Sequence, residues 1–233
     1  MERYSIIKDK NPRKIVLLRG SGCRWRRCTF CDYHSDASPD QRANFLLNRA
    51  VLRHVTGMYH RLEVINSGSF TDLDRGTLRR IRRTAAEKGI HTVHFECHWM
   101  HRQALAQCRA YFARADIDVV FKIGVETFDI PFRERVLRKG LGNALPQEIA
   151  AAGFTEINLL CGLEQQSADS MRQDIETGLA YFDRVCVNLM TENTTSVKPC
   201  PQATQAFLTE VYPRFRNEPR VDILLNNTDF GVG

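Results

Sequence analysis

The sequence has few of the features that place a chain in a membrane or outside the cell. Its 233 residues contain no uninterrupted apolar run of the ~18 residues that a membrane helix needs. The opening MERYSIIKDKNPRK lacks the apolar segment of a secretory signal. Only 8 prolines and 14 glycines are present, and no linker rich in them divides the chain. We therefore expect one cytoplasmic domain over residues 1–233, with no membrane partner.

Neither charge nor composition points to a macromolecular partner. The chain carries 33 Lys and Arg against 27 Asp and Glu, a formal net charge of +6 that permits binding of nucleic acid or phosphate. The basic residues, however, are spread over several predicted helices instead of alternating with aromatic residues on one surface. A hydrophobic share of 43% and a charged share of 26% are typical of globular proteins. Nucleic acid is therefore not the partner we expect.

The cysteines are distributed unevenly. An exported disulfide scaffold would be shorter and would carry an export signal, so the 8 cysteines indicate a reduced protein. Three of them, Cys23, Cys28 and Cys31, fall within nine residues and form a candidate ligand cluster. We expect the other five to be buried thiols: Cys97, Cys108, Cys161, Cys186 and Cys200.

Strand and helix patterns alternate along the whole chain. Seven short apolar runs rich in β-branched residues predict strands buried on both faces: Lys14–Gly20, Arg61–Gly68, Thr92–His98, Asp118–Thr127, Glu156–Leu163, Arg184–Thr191 and Arg220–Asn226. Between them, helical periodicity covers Arg42–Thr56, Leu73–Lys88, Arg102–Ala115, Ile130–Lys139, Ser167–Phe182 and Pro201–Pro213. This alternation predicts an α/β fold with parallel strands, either a doubly wound sheet or an open barrel. A full eight-fold barrel needs about 250 residues, so the length favours a partial (βα)6-type barrel.

The candidate ligand cluster follows the first predicted strand directly. Residues 22–34 read GCRWRRCTFCDYH, with the cysteines spaced C-x4-C-x2-C. Three thiolates on one loop suit three irons of a [4Fe–4S] cluster and leave the fourth iron open for a non-protein ligand. A structural zinc ion would need a fourth protein ligand, which His34 offers. A redox-active thiol group is a third interpretation. The position after the first strand of a βα barrel favours the iron–sulfur cluster.

This loop resembles the cluster-binding loop of the radical S-adenosylmethionine (SAM) superfamily. In that family an aromatic residue precedes the last cysteine and packs near the adenine of SAM, and Phe30 holds this place. The first gap has four residues here, against three in the usual motif. The resemblance implies two cofactors, a [4Fe–4S] cluster on Cys23, Cys28 and Cys31, and SAM. It also implies that a flavodoxin- or ferredoxin-type reductant supplies the electron that cleaves SAM to a 5′-deoxyadenosyl radical.

Further segments resemble the SAM-binding elements of the family, in the same order along the chain. The segment Asn66–Phe70 (NSGSF) resembles the turn whose backbone contacts the SAM amino group, and Glu126 in GVET takes the place of the residue that holds the ribose. A vicinal diol suits the two oxygens of a carboxylate. Arg135 or Lys139 is in place for the SAM carboxylate. The full set implied for the cofactor is Phe30, Tyr33, Ser67, Gly68, Ser69, Glu126, Arg135, Lys139, Leu160 and Gly162.

Several strings together most resemble the small queuine lyase group of the superfamily. They are GSGCRWRRCTFCDYH, NSGSF, FECHWMH, GVETFD, LLCGLEQQ and NLMTENT. Enzymes of that group release the 7-deazaguanine base queuine from queuosine or its 5′-monophosphate for salvage. Action on another 7-deazaguanine or on an RNA-bound nucleoside is a related alternative. An alternative of a different class is a zinc-stabilised nucleic-acid-binding module built on Cys23, Cys28, Cys31 and His34.

A guanine-like substrate needs a carboxylate for its N1–H and exocyclic amine. Glu96, at the end of the third predicted strand, is the first candidate, with Glu164 and Asp229 as rivals. Asn226 offers an amide to the carbonyl of the base, and His98 is expected to line the pocket. Cys97 follows Glu96 directly, and its weak S–H bond suits a hydrogen-atom donor. A buried structural thiol is the other interpretation of Cys97.

Overall fold

The computed structural model of the chain describes residues 3–225, with the side chain of His34 excepted. Asn226 and Asp229, two of the candidate substrate ligands, lie outside the described residues. The chain forms two compact units. The first consists of Met1–Arg24 and Tyr33–Lys122, and the second of Trp25–Asp32 and Ile123–Gly233. The single domain expected from the sequence stays a prediction.

The first unit is a sheet with helices between its strands. Its strands are β1 (Tyr4–Ile7), β2 (Arg13–Leu18), β3 (Arg61–Asn66), β4 (Thr92–Glu96) and the first part of β5 (Asp118–Glu126). Its helices are α1 (Gln41–Leu52), α2 (Arg75–Glu87) and α3 (Leu105–Ala113). β2 to β5 pair in parallel in chain order, as predicted, and β1 pairs antiparallel with β2.

The two faces of this sheet differ in polarity. One face packs on the helices through aromatic rings, with the centroids of Phe95 and Phe112 5.5 Å apart and those of Phe70 and Phe121 5.2 Å apart. Alternation along the strands puts charged groups on the opposite face: Glu63, His94, Glu96 and Lys122. The register aligns Glu63 with His94 and Glu96 with Lys122. The apolar face supplies the core, and the charged face carries side chains suited to chemistry.

The second unit continues the alternation of strands and helices. Its further strands are β6 (Glu156–Cys161), β7 (Arg184–Leu189) and β8 (Val221–Leu224), paired in parallel. Its helices are α4 (Pro146–Ala151), α5 (Ala168–Tyr181), α6 (Pro201–Ala206) and α7 (Tyr212–Phe215). Every residue of β6 is buried, including the polar Glu156 and Asn158, and burial on both faces explains the largely apolar run that predicted the strand.

Four elements differ from the sequence-based expectation. Strand β1 and helix α4 were not predicted, because each is too short to show a period. The predicted helix Ile130–Lys139 is a π-helical turn at Phe132–Val136. The predicted helix Pro201–Pro213 is divided by a second π-helical turn at Phe207–Val211. Its downstream part, α7, carries a proline in its first turn, where the missing N–H is tolerated. Within residues 3–225 no helix is long and apolar enough to cross a membrane.

Candidate active site

The chain enters the cysteine loop through a segment fixed by buried polar groups. The Asn48 side chain accepts a hydrogen bond from Arg19 N at 2.8 Å and donates one to Arg19 O at 2.9 Å. Two residues later, Ser21 N donates to Asp72 O at 2.9 Å. A Cβ on Gly20 would lie 2.8 Å from that same carbonyl oxygen, so only glycine fits there. The backbone that leads to Cys23 is therefore set by contacts of the first unit alone.

The NSGSF turn after β3 packs directly on this segment. Gly68 N donates to Asn66 O at 2.6 Å, and a Cβ on Gly68 would lie 2.9 Å from the Cα of Cys23. Ser67 is buried and its hydroxyl donates to Asp36 O at 3.1 Å. Glycine at position 68 thus lets two loops approach each other, and it leaves the turn's backbone uncovered by a side chain, as the proposed contact with an amino group requires.

Asp72 is a structural residue of this turn that the sequence-based search missed. Its Oδ2 accepts from Ser69 N at 2.8 Å, and its Oδ1 lies 3.9 Å from Arg24 Nε. Burial raises the pKa of its carboxyl, against the hydrogen bond from Ser69 and the nearby His101 and Arg24, which lower it. The spacing S-x-x-D from Ser69 to Asp72 is that of a capping box and was the available signal.

The end of β4 supplies the candidate substrate ligands of the first unit. Glu96 is half-buried on the charged face of the sheet, in register with Lys122. The backbone N–H of His98 donates to the Ser69 hydroxyl at 2.9 Å, and its Nδ1 accepts from Met100 N at 3.2 Å. His98 thereby caps the 3-10 helix Trp99–Ala104. The backbone of His98 thus contacts the NSGSF turn, and Glu96 ends the strand that neighbours β3.

Cys97 lies on the other face of the sheet from Glu96. It is 2% exposed, and its Sγ contacts His98 O at 3.4 Å. Burial raises the pKa of its thiol to about 12, with Cys108 of α3 and Asp72 acting in the same direction. Its burial on the face away from Glu96 favours the buried structural thiol over the hydrogen-atom donor, whereas the raised pKa keeps the thiol protonated and is compatible with both.

Cys97→Ala is expected to lower the midpoint of thermal unfolding by a few degrees and to leave product formation per SAM cleaved unchanged. The alanine leaves a small void against α3, which costs about 1 kcal/mol. Paired assays of 5′-deoxyadenosine and free base measure the ratio. If the amount of free base formed per 5′-deoxyadenosine falls sharply in Cys97→Ala but not in Cys108→Ala, Cys97 acts as a hydrogen-atom donor.

In the second unit the cysteine loop is held along its backbone. Thr29 N donates to Leu137 O at 3.2 Å, and Thr29 Oγ1 donates to Val136 O at 2.7 Å. From the loop after β7, Asn193 Nδ2 donates to Phe30 O at 2.7 Å, and Thr194 bonds the Asp32 carboxylate through N and Oγ1 at 3.2 and 3.1 Å. Asn193 and Thr194 belong to the string TENT, whose role the sequence did not reveal.

Phe30 anchors an apolar cluster that covers two of the cysteines. The cluster consists of Phe30, Phe132, Leu137, Leu160, Leu163 and Met190. Cys28 and Cys31 pack against it. The ring of Phe30 is 2% exposed, so it is a core residue of this unit. Apolar surroundings of this kind exclude water and strengthen electrostatic interactions with any charge placed there.

Next to this cluster lies a buried ion pair. Lys139 Nζ is 2.6 Å from Glu126 Oε1 and 5.5 Å from the centroid of Phe30. Burial would lower the pKa of Lys139, but the Glu126 carboxylate and the thiols Cys28 and Cys31 hold it above its usual value. A Cβ on Gly124 would lie 2.6 Å from Nζ, which explains the glycine of the GVET string. The sequence offers both Arg135 and Lys139 as the cation for the SAM carboxylate. Arg135 is exposed, and Lys139 is the cation that lies at the site.

Glu126 also carries backbone strain. Its φ is +69°, in the left-handed region that residues with a Cβ rarely adopt. Such outliers cost about 1–3 kcal/mol and concentrate at functional sites. The structure therefore adds an independent reason to treat Glu126 as functional, one that no sequence pattern carries.

The remaining candidates differ in their surroundings. Leu160 is buried in the Phe30 cluster, and Gly162 follows it with φ +86° and its carbonyl accepting from Cys200 N at 2.7 Å. Glu164 is exposed. Tyr33 lies in the 3-10 helix Tyr33–Asp36 of the first unit.

The three loop cysteines form no disulfide within the described part of the chain, and each is partly exposed. Among the described residues, no three His, Cys, Asp or Glu side chains stand close enough to hold a metal ion. The donor set nevertheless suits a [4Fe–4S] cluster. Cys28 and Cys31 share a dry apolar cluster with a lysine cation that offsets thiolate charge, and Cys23 lies on a segment fixed by its own hydrogen bonds.

Known structures with this fold include SAM-binding enzymes. The chain is similar to the queuine lyase from Clostridium spiroforme bound to SAM and queuine, with 38% identity and a TM-score of 0.93 over 100% of this chain and 99% of that one. It is also similar to two structures of Streptococcus suis SuiB, one bound to S-adenosylmethionine. These have identities of 13% and 14%, TM-scores of 0.55 and 0.52, and cover 90% and 92% of this chain and 49% and 54% of SuiB. No protein-family model and no curated protein matches the chain.

The class of protein follows from the fold and the cysteine loop together. The chain is a radical SAM enzyme, and the predicted α/β partial-barrel fold class is confirmed. Within that class it belongs to the queuine lyase family, at 38% identity over its full length. This membership favours the enzyme over the zinc-stabilised nucleic-acid-binding module.

Proposed function

We propose that the protein releases queuine from queuosine or queuosine 5′-monophosphate by radical SAM chemistry. The observation that carries the proposal is its full-length similarity to a queuine lyase that binds SAM and queuine. The side chains described above supply what such a reaction needs: three thiols, a water-excluding cluster, a buried cation and a carboxylate for the base.

Cys23, Cys28 and Cys31 would hold a [4Fe–4S] cluster. When bound, it supplies the electron that cleaves SAM to methionine and a 5′-deoxyadenosyl radical. The chain's own residues position the cofactor. The backbone of the turn at Gly68 would contact the amino group of SAM, and the Lys139 cation would suit its carboxylate. Glu126 would accept hydrogen bonds from the ribose hydroxyls, and the Phe30 cluster would exclude water from the bound cofactor.

Glu96 is our candidate for the N1–H and exocyclic amine of the 7-deazaguanine. It is half-buried and stands in register with Lys122, which also pairs with Glu63. Glu164, being exposed, is the weaker rival. An acidic flavodoxin or ferredoxin as electron donor, and a cytoplasmic location, belong to the same proposal.

The test is an anaerobic assay of reconstituted protein with dithionite, SAM and queuosine 5′-monophosphate. We expect 5′-deoxyadenosine and free queuine to rise together, read by mass spectrometry. Both should vanish in Cys23→Ala, whereas Cys200→Ala, which removes another partly exposed thiol, should retain both. If 5′-deoxyadenosine forms but no queuine appears with either queuosine or queuosine 5′-monophosphate, the proposed substrate is wrong.

A further inference from the structure

A groove on the helical side of the first unit gathers arginines that the sequence had suggested were dispersed. Helices α1 and α2 and the end of α3 border an open cavity of about 810 Å³. Its floor is made of small or apolar residues, among them Phe45, Gly76 and Ala86. We define the arginine groove by the six arginines that line it: Arg49, Arg79, Arg80, Arg82, Arg83 and Arg114. Within the described part of the chain, no lysine and no acidic residue lines this cavity.

The positive charge of the arginine groove is not balanced by its neighbours. Arg79 and Arg83 are four residues apart on α2, a spacing at which like charges repel and destabilise a helix. Of the nearby acids, Asp74 caps α2 by accepting from Thr77 N at 2.8 Å, and Glu87 pairs with Arg83 at 2.6 Å. One acidic partner for six arginines leaves most of the positive charge of the groove unbalanced, which points to an anionic partner.

Two arginines of the groove have restricted side chains. Arg82 stacks on the Tyr111 ring at 4.0 Å and donates to Tyr111 O at 3.1 Å. Arg80 Nε is buried and has no hydrogen-bond partner among the residues that the structure describes. Guanidinium groups held in place lose less entropy when they bind a carboxylate than mobile ones do.

A second cavity continues the groove toward the start of α2. It has a volume of about 570 Å³, shares Phe45, Gly76 and Arg79 with the groove, and is lined also by Arg42, Asp74 and Arg75. Asp74 lies two residues after Asp72, whose carbonyl accepts a hydrogen bond from Ser21 N and whose carboxylate lies near Arg24. The start of α2 therefore connects the second cavity with the segment that leads to Cys23.

We propose that the arginine groove is the docking surface of an acidic one-electron carrier protein. The inference rests on the proposed function, which needs one electron for each SAM that is cleaved. The reduced carrier is oxidised by one electron, and that electron ends on SAM as its sulfur–C5′ bond breaks to methionine and the deoxyadenosyl radical. No proton is transferred in this step. Guanidinium forks match surface carboxylates, and opposite charges accelerate the encounter of two proteins.

An RNA ligand fits the groove less well. Single-stranded RNA is bound by stacking bases on successive aromatic rings. Phe45 is the one aromatic residue among the described residues that line the two cavities. A carrier protein needs a surface of complementary charge and shape, which the groove offers, and it does not need aromatic rings for stacking.

The first test is direct binding, with the protein free of its cluster and a fluorescently labelled acidic flavodoxin as the probe. We expect Arg79→Gln/Arg83→Gln to weaken binding by about tenfold at low salt, with the difference shrinking as salt is added. The matched control is Arg214→Gln/Arg216→Gln, which removes two arginine charges from α7 and its end, in the second unit. If both double variants bind flavodoxin equally well, the proposal fails. The proposal would also be wrong if the groove variant, and not the control variant, lost binding of a labelled RNA oligonucleotide while its binding of flavodoxin stayed unchanged.

The second test separates docking from catalysis. With dithionite, which needs no docking surface, the groove variant is expected to form deoxyadenosine at the unmodified rate. With reduced flavodoxin at limiting concentration, its rate should fall by about tenfold, as binding does. Equal losses with both reductants would reject the docking role. Absence of deoxyadenosine with dithionite in the unmodified protein would count against the proposed function and leave the binding result standing.

Discussion

Lys139→Met is expected to lower the free energy of unfolding by about 3–5 kcal/mol and to abolish SAM binding. The Lys139 side chain is 12% exposed and that of Glu126 6%, so removing the cation leaves a buried carboxylate without its partner. Because methionine fills about the same space as lysine, the loss of stability and of SAM binding measures the effect of removing the positive charge.

A second variant separates stability from binding. Glu126→Gln/Lys139→Met removes both charges, and we expect it to recover most of the lost stability while SAM binding stays absent. Urea unfolding of the cluster-free protein gives the first quantity, and equilibrium dialysis with labelled SAM after reconstitution gives the second. Arg135→Met, which removes an exposed cation four residues before Lys139, is the control and should change neither. Recovery of SAM binding in the double variant would show that the pair is purely structural.

The sequence predicts this fold well because its strands are buried on both faces. Each predicted parallel strand is present, with ends that shift by a few residues, since a strand such as β2 ends where Gly20 must lie against the Asp72 carbonyl. The cysteine loop was recognisable because three thiols within nine residues, directly after a strand, are typical of a metal or iron–sulfur site. The short β1 and α4 escaped because a single turn or a four-residue strand carries no period.

Much of the candidate site could not be predicted, because its contacts join residues far apart in the chain. Asn193 binds Phe30 O across 163 residues, and Glu63 binds Lys122 across 59. Asparagine in a loop or glutamate in a strand has many other uses, so residue type alone does not select these partners. The strain at Glu126 is likewise a property of the backbone and leaves no mark on the sequence.

The largest effect expected in the first unit comes from Glu63→Gln. Glu63 Oε2 is 2.5 Å from Arg13 Nε, and its other oxygen pairs with Lys122, so one carboxylate holds two buried cations. The neutral amide removes the negative charge that both buried cations face, and we expect a loss of about 3–5 kcal/mol in the free energy of unfolding. Glu87→Gln, which breaks an exposed pair with Arg83, is the control and should unfold like the unmodified protein.

The pH dependence of this effect has a defined sign. Burial opposes ionisation of Glu63, but Lys122, Arg13 and His94 hold its pKa well below the ordinary value of 4.5. A carboxyl whose pKa is depressed by folding adds stability above its unfolded pKa and loses that contribution as the pH falls. The stability gap between unmodified protein and Glu63→Gln should therefore be widest near neutral pH and narrow below about pH 4.5. A gap that stays constant down to about pH 3 would show that packing, and not charge, causes the loss.

The Glu63→Gln substitution should also weaken the binding of the substrate. Lys122 stands in register with Glu96, the carboxylate that we assign to the 7-deazaguanine, and also pairs with Glu63. Without the charge of Glu63 the Lys122 ammonium is expected to interact more strongly with Glu96, which raises KM for queuosine 5′-monophosphate and leaves KM for SAM unchanged. A Lys122→Met/Glu63→Gln variant removes the competing cation and should return KM toward its original value. If KM stays high in that variant, the charge of Glu63 acts on the substrate by another route.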